Sequence, residues 1–349
     1  MKYSKVFINA VSYELAPNII TSDEIEERLK PFYDYMGFQK GQLLKLTGIK
    51  ERRFWDIDHT LAEHAAKAGK KALKSSSISS KDIQALVFCG VGKDAFEPAT
   101  ACTVAHALKI NSNAHVYDVS NACIGVLTGI IQVANEIELG NIKAGLIVSC
   151  ETSRQIIEST INELNQVKTM ELYKKTVATL TGGSGACAVL LTNGTIGNNM
   201  DKHKIKGGVV KQAAEFHKLC RWSFREKGMP CNSKVQIRTH AGKVLENGLI
   251  LAKKTFNAFK KELLIPENKP DKFICHQVGS IHQKMFQHAI KIAYEKDFST
   301  YEYLGNMGTV SLPITAAIAD ERGFLKKNDY IGFLGIGSGL NCLMLGIEW

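Results

Sequence analysis

No stretch of this 349-residue chain reaches the roughly eighteen consecutive apolar residues that a membrane-crossing helix requires, so a membrane span is not expected. The opening MKYSKVFINAVSYELAPN holds one short apolar run and an acid at Glu14. Without a longer apolar core and a small-residue cleavage site it reads as a first strand rather than a signal peptide, and the expected location is the cytoplasm. CxxC pairs are absent. The nine cysteines lie singly between Cys89 and Cys342, several inside apolar runs such as LVFCG, IVSCE and LNCLML, where a cysteine behaves as a small hydrophobe. That argues against a disulfide framework or structural zinc, and neither a metal nor a cofactor is expected. Proline is scarce, at seven residues, and no proline-rich or low-complexity linker breaks the chain. Phosphate loops are missing too. Gly182, Gly183 and Gly185, and Gly335, Gly337 and Gly339, lack both the GxxxxGK and the GxGxxG spacing and read as tight turns.

What is present is ordinary globular material, 45% hydrophobic and 22% charged, long enough for two domains or one double domain. The net charge of +10 comes from scattered Lys and Arg with small groups at Lys202 to Lys206, Lys253 and Lys254, and Lys326 and Lys327. No zinc-finger or RNA-binding pattern accompanies them, so no nucleic acid is expected. A solvated basic face accounts for them, as does an anionic partner such as coenzyme A or an acidic carrier protein.

Short apolar strands alternate with amphipathic helices, the pattern of an α/β protein. Strands are expected at 83–91, 115–121, 143–152 and 182–194, and helices at 99–110 and 122–140. The second half repeats the series: strand 271–279, helix 280–292, strand plus turn 301–308, helix 309–323, then strands 328–339 and 340–349. The glycine turns TGGSGA and GIGSGLN sit at matching places. The duplication predicts two similar halves, 1–195 and 196–349, packed together. The stretch from about 153 to 260 interrupts the second pattern and reads as a substrate-covering insertion, with 153–180 forming part of it.

Cys123 follows a strand and opens a long helix. A helix N-terminus carries partial positive charge, which is expected to lower a thiol's pKa and favour the reactive thiolate. His276 ends the apolar strand in FICHQVG, where α/β folds place chemistry. Asn306 lies between glycines in YLGNMGT. Singly, these are more often a packed small residue, a structural histidine and a turn asparagine. The duplication, however, puts Cys123 and Asn306 at equivalent helix starts with His276 nearby. Such a trio serves either proteolysis or thioester condensation, in which His and Asn stabilise an enolate; the duplicated strand–helix order fits the second better. Glu97, before Pro98 and a helix, reads first as an acid stabilising that helix start.

DVSNACIGVLTGI, FICHQVGS, YLGNMGTVSLP and GIGSGLNCLMLGIEW together resemble the β-ketoacyl-acyl carrier protein synthase III (FabH-like) group of the thiolase superfamily, over nearly the whole chain. TSDEIEERLKPFYDYMGF, GIKERRFWD, EPATA and KGGVVKQAAEFHKLCRW are most similar to the OleA branch, which joins two fatty acyl-CoA molecules head to head. The resemblance implies a thiolase-like fold in αβαβα layers and a homodimer. It implies an acyltransferase in which Cys123 carries the acyl group, His276 and Asn306 hold the enolate oxygen, and the backbone N–H groups of Cys123 and Gly339 form an oxyanion hole. It further implies that Glu97 reaches the partner subunit's site as the base that removes an α-proton. Arg52, Arg53 and Trp55 are the candidates for coenzyme A contacts, and 153–180 contributes to the acyl pocket. The alternative is decarboxylative condensation of acyl-CoA with a malonyl-carrier protein in fatty acid or related biosynthesis.

Overall fold

In the computed structural model, residues 1–197, 203–223 and 236–349 are described. Ten strands form one sheet: β1 (Phe7–Leu15), β2 (Ala85–Cys89), β3 (His115–Val119), β4 (Ala144–Glu151), β5 (Gly185–Thr192), β6 (His203–Gln212), β7 (Lys272–Cys275), β8 (Asp297–Phe298), β9 (Tyr330–Gly337) and β10 (Asn341–Glu348). Their order is β8-β7-β9-β10-β6-β1-β5-β4-β2-β3. Adding five to each strand number of the first half gives its counterpart in the second. Six helices obey the same rule with three added: α1 (Leu61–Ser76), α2 (Thr100–Leu108), α3 (Gly125–Leu139), α4 (Ala241–Glu262), α5 (Ser280–Ile290) and α6 (Ser311–Glu321). Both halves therefore run β-α-β-α-β-α-β-β. They meet where β1 pairs antiparallel with β6 through Phe7–Lys204 and Ile8–His203.

The layers follow from the strand period of two. In the first half Val87, Cys89, Ile147, Cys187 and Val189 face inward and share one core with α3 and α6. Leu86, Phe88, Leu146, Val148, Ala188 and Leu190 face outward and pack beneath α1 and α2. In the second half Ile274, Ile331 and Phe333 join the α3–α6 core, while Phe273, Leu334 and Met344 pack against α4 and α5. Helices thus cover both faces of each half-sheet, with α3 and α6 between them: αβαβα. Strands buried on both faces carry continuous apolar sequence, and β2, β4 and β5 are buried at every position.

Close approach in the central layer depends on small residues. A Cβ on Gly129 of α3 would lie 2.5 Å from Cys89 Sγ, and one on Gly145 of β4 would lie 2.4 Å from Val133 Cγ1. The segment Ala122–Leu139 is long and apolar enough, by composition, to cross a membrane. Here it forms α3, whose Val126, Leu127, Ile130, Val133, Ala134 and Ile137 are core residues. Hydrophobicity on most of its surface is what a central-layer helix requires.

Two expectations change. Residues 301–308 are not strand plus turn: the strand is the two-residue β8, followed by a short helix Tyr301–Leu304. Gln277 Oε1 accepts from the N–H groups of Thr300 and Tyr301, turning the chain into that helix. Nor is 153–260 one insertion, since it contains the framework elements β5, β6 and nearly all of α4. The expected division at 195/196 falls in the connection between β5 and β6. The true additions are the helices Arg154–Val167 and Met170–Thr176. They pack Ile157, Ile161, Leu164, Leu172 and Tyr173 against Ile25, Leu29, Phe32 and Leu43 from the segment between β1 and α1. A ribbon of Cys220–Ser223 and Gln236–Thr239 stands beside them.

Gly145→Ala drives a methyl group into Val133 and should lower unfolding free energy by about 1–3 kcal/mol through overpacking, read as a lower urea midpoint with unchanged m-value.

Candidate active site

Strand β3 ends into a tight turn before α3. Ala122 adopts φ +45°, a conformation unusual for a residue with a Cβ and a form of strain found at functional turns. The turn closes with Ile124 N–H donating to Asn121 O at 3.1 Å. Asn121 is fixed on two sides: its Nδ2 donates to Thr128 Oγ1 at 3.0 Å, and its Oδ1 accepts from Asn341 of the other half at 3.1 Å. Cys123 stands at this turn, two residues ahead of α3. The orphan N–H of Val126 in the first helical turn donates to Thr309 Oγ1 at 2.7 Å, again from the other half.

Asn306 reaches the same place on an irregular segment. Its N–H donates to Thr181 O at 2.8 Å and its carbonyl accepts from Gly183 at 2.9 Å. A Cβ on Gly183 would lie 2.0 Å from Leu304 O, so only glycine permits this approach. The side-chain Oδ1 accepts from Gly308 N–H at 3.0 Å. That bond sets the amide so that Nδ2, a donor, is the group left for the cavity. His276 continues β7, its N–H donating to Leu334 O at 3.0 Å. Gln277 behind it is pinned by Nε2 donation to Cys275 O at 2.7 Å.

Cys123, His276 and Asn306 line one cavity of about 770 Å³. Its walls are largely apolar, with Ile156, Val177 and Ala178 on one side and Val244, Leu249 and Phe286 on another. The 153–180 helices and the Cys220–Ser223 ribbon both contribute wall. Burial pushes the His276 imidazole down to about 4, with His282 adding to the shift, so the ring is neutral near pH 7 and presents one donor and one acceptor. Its Nδ1 has no protein partner among the described residues.

The thiol departs from expectation. Burial pushes Cys123 up to about 12, and the neighbouring Cys220 and Glu151 raise it further. Desolvation outweighs the helix N-terminus in the closed site, so Cys123 rests as a thiol.

The coenzyme A candidates do not reach this cavity. Arg52 is fully buried, donating to Ser22 Oγ at 3.0 Å and Leu180 O at 3.2 Å. Arg53 donates to Ala16 O at 3.3 Å. Trp55 is buried, donates from Nε1 to Glu151 O at 3.1 Å and stacks on His64 with centroids 3.7 Å apart. Strand Glu51–Phe54 pairs with Asn18–Thr21 and turns Arg52 inward, where the guanidinium ties backbone together. Gly339, the other expected oxyanion donor, lies between the lining residues Ser338 and Leu340. Glu97 is exposed at the tip of the turn between β2 and α2 and does not line its own chain's cavity. Among the described residues no cluster of three or more His, Cys, Asp or Glu is placed to hold a metal.

Glu151 escaped the sequence reading. It is buried at the end of β4, lines the cavity, and is pushed up to about 7 by burial, offset in part by N–H donation from Val91 and Gly92. The signal was there: a lone acid closing the apolar run LIVSCE.

Two outcomes are expected. Arg52→Ala should cost about 2–4 kcal/mol of stability, since it strands buried acceptors and opens a void, while leaving KM for thioester substrates unchanged. His276 sits at about 4 folded against 6.5 unfolded. The unfolded chain therefore binds the extra proton between these values, and stability falls as pH drops from 6.5 to 4. The loss should be roughly 3 kcal/mol and should vanish in His276→Gln. Glu151 acts in the opposite sense, so the measurement compares the two proteins' urea midpoints across that window.

Comparison with known proteins places this geometry. Residues 50–206 match the thiolase N-terminal domain and 264–349 match the C-terminal domain of 3-oxoacyl-[acyl-carrier-protein] synthase III. The chain is 48% identical to an acyl-CoA:acyl-CoA alkyltransferase of Shewanella oneidensis and 34% identical to that of Xanthomonas campestris pv. campestris, each covering 100% of both chains. A β-ketoacyl-[acyl-carrier-protein] synthase III of Campylobacter jejuni is 26% identical over 96% of this chain and 95% of its own. A crystal structure of an alanine variant of Xanthomonas campestris OleA superposes with a TM-score of 0.93 at 34% identity, covering 100% of this chain and 98% of that one. A serine variant with bound lauric acid and lauroyl-CoA gives 0.92 at 34% identity, covering 99% and 100%. With full-length relatives at this identity and a thiolase fold to match, the chain belongs to the acyl-CoA:acyl-CoA alkyltransferase (OleA) family of the thiolase superfamily.

Proposed function

We propose that this chain is an acyltransferase that condenses two acyl-CoA molecules into a β-ketoacyl product through an acyl thioester on Cys123. The observation that carries this is the convergence of Cys123, His276 and Asn306 on one apolar cavity at the seam of the two halves. In the first step the Cys123 thiol attacks the thioester carbonyl, a carbon–sulfur bond forms, and coenzyme A leaves with the proton. The backbone N–H groups of Cys123 and Gly339 hold the tetrahedral oxyanion. The apolar walls take the alkyl chain.

A second acyl-CoA then presents its carbonyl to His276 and Asn306. Both are neutral donors in a largely apolar site: burial holds the His276 imidazole at about 4, and the Gly308 N–H on Asn306 Oδ1 leaves the amide Nδ2 to donate. Neutral donors stabilise a developing enolate without attracting a counter-charge to the resting cavity. The partner subunit's Glu97 removes the α-proton. The enolate carbon attacks the acyl carbonyl on Cys123, and the Cys123 thiolate leaves and recovers a proton.

The dimer this requires is supported by two surfaces. Strand β3 ends the sheet with five residues and, among the described residues, has no strand beyond it, an edge suited to pairing. Beside Glu97, Phe96 is 85% exposed. The non-decarboxylative reading is favoured by relatives at 48% and 34% identity, against 26% for those named synthase III.

Purified protein given long-chain acyl-CoA alone should release coenzyme A and form a β-keto product; an absolute need for malonyl-carrier protein would overturn this reading. Cys123→Ala should lower turnover by about a thousandfold or more. Glu97→Gln should retain the acyl adduct on Cys123, seen by intact mass, yet stall condensation.

A further inference from the structure

Among the described residues Glu151 is paired with no cation, and it is 5% exposed. Its hydrogen-bond donors are backbone N–H groups: Val91 at 3.1 Å on Oε1, and Gly92. A buried carboxyl without a cation is costly, and a valine at this strand end would avoid the cost. What the carboxyl holds is the turn that carries Glu97.

That turn is held at three places, each by a carboxylate on backbone N–H. Asp94 accepts from Leu61 at 2.8 Å and Ala62 at 2.9 Å, the first N–H groups of α1. Asp118 accepts from Thr100 at 3.0 Å and Ala101 at 2.9 Å, at the start of α2, and pairs with Lys93 at 3.5 Å. Glu151 supplies the third hold, at Val91 and Gly92. Between these holds Phe96 and Glu97 stand exposed. Of the three carboxylates only Glu151 lines the cavity. There it also faces the Asn306 turn: a Cβ on Gly308 would lie 3.5 Å from Glu151 Cδ.

We propose that Glu151 is a positioning residue that fixes the Val91–Pro98 turn, so that one subunit's cavity sets the placement of the Glu97 it delivers to its partner. This rests on the reading of Glu97 as a base acting across the dimer. Glu151→Gln is nearly isosteric but replaces one accepting oxygen with a donor, which cannot receive a second N–H. The turn is then loosened on one side, and a misplacement of this kind lowers the rate of proton abstraction without preventing acyl transfer.

Heterodimers of two differently tagged copies separate the possibilities. In the first, one copy carries Cys123→Ala and the other Glu151→Gln. The one acylable Cys123 lies in the Glu151→Gln copy and receives Glu97 from a copy with Glu151 intact. In the second, a wild-type copy is paired with one carrying both substitutions, so its Cys123 receives Glu97 from a loosened turn. The proposal expects the first to turn over acyl-CoA within about twofold of a wild-type/Cys123→Ala heterodimer and the second to fall at least about tenfold below it. Intact mass should show one acyl adduct per dimer in both.

The reverse pattern means that Glu151 acts inside its own cavity and overturns the proposal, as do equal loss and equal activity. Failure of Glu151→Gln to form folded dimers would make the residue a general requirement of the fold and likewise overturns it. Glu97→Gln in the same two arrangements is the control. If it acts in the first heterodimer rather than the second, the cross-subunit role of Glu97 has failed rather than the role of Glu151.

Discussion

The N-terminus of α3 is held by the other half of the molecule, and the site depends on this. Val126 N–H donates to Thr309 Oγ1, and Asn121, at the turn before Cys123, accepts from Asn341. Thr309 follows Asn306 by three residues, so the bond that completes the cysteine's helix also fixes the asparagine's segment. From the first half, Thr181 O and Gly183 N–H grip Asn306 by its backbone in return. The first half therefore supplies Cys123 and the clamps on Asn306, and the second supplies His276, Asn306 and the clamps on the cysteine's turn and helix. A hydrogen bond of this kind contributes about 1 kcal/mol net. Its larger effect is to remove freedom from groups that must meet within a fraction of an ångström.

Burial favours the uncharged forms of Cys123, His276 and Glu151 in the cavity. Cys123 is a thiol, His276 a neutral imidazole, and Glu151 sits at about 7. A charged resting site would draw in water and counter-ions that an alkyl chain would then have to displace. A neutral one leaves Asn306 and His276 as preorganised dipoles, at their strongest where the dielectric is low. The expected activation of Cys123 by its helix runs against this, because the partial charge at the start of α3 faces the full desolvation of a thiolate.

Much of this was legible in the chain. Cys123 and His276 follow strands marked by apolar runs, and such runs predict both the strand and the loop at its end. The duplication was legible because the strand–helix series recurs and the glycine turns TGGSGA and GIGSGLN stand at matching places in it. What stayed hidden depended on neighbours. β6, with Gly207 and Gly208 beside charged residues, looks like a loop until β1 and β10 pair with it. Arg52 looks like a surface charge in ERRFW until the partner strand Asn18–Thr21 turns it inward. The short helix at Tyr301–Leu304 was mistaken for a strand because Gln277, far off in sequence, decides the turn. Glu151 carried a visible oddity, but its purpose lies in backbone N–H groups sixty residues away.

Among the sheet strands, the two halves differ most in length at their outer edges. β3 has five residues, whereas its counterpart β8 has two. A molecule with long open strands at both ends of its sheet can add copies at either end, and nothing in its geometry stops the chain of additions. A molecule with one long edge and one cut short can satisfy itself once, edge to edge about a twofold axis, and then presents no further edge of useful length. The two-residue β8 leaves few backbone groups for another chain to pair with, whereas the five-residue β3 offers a longer row of them.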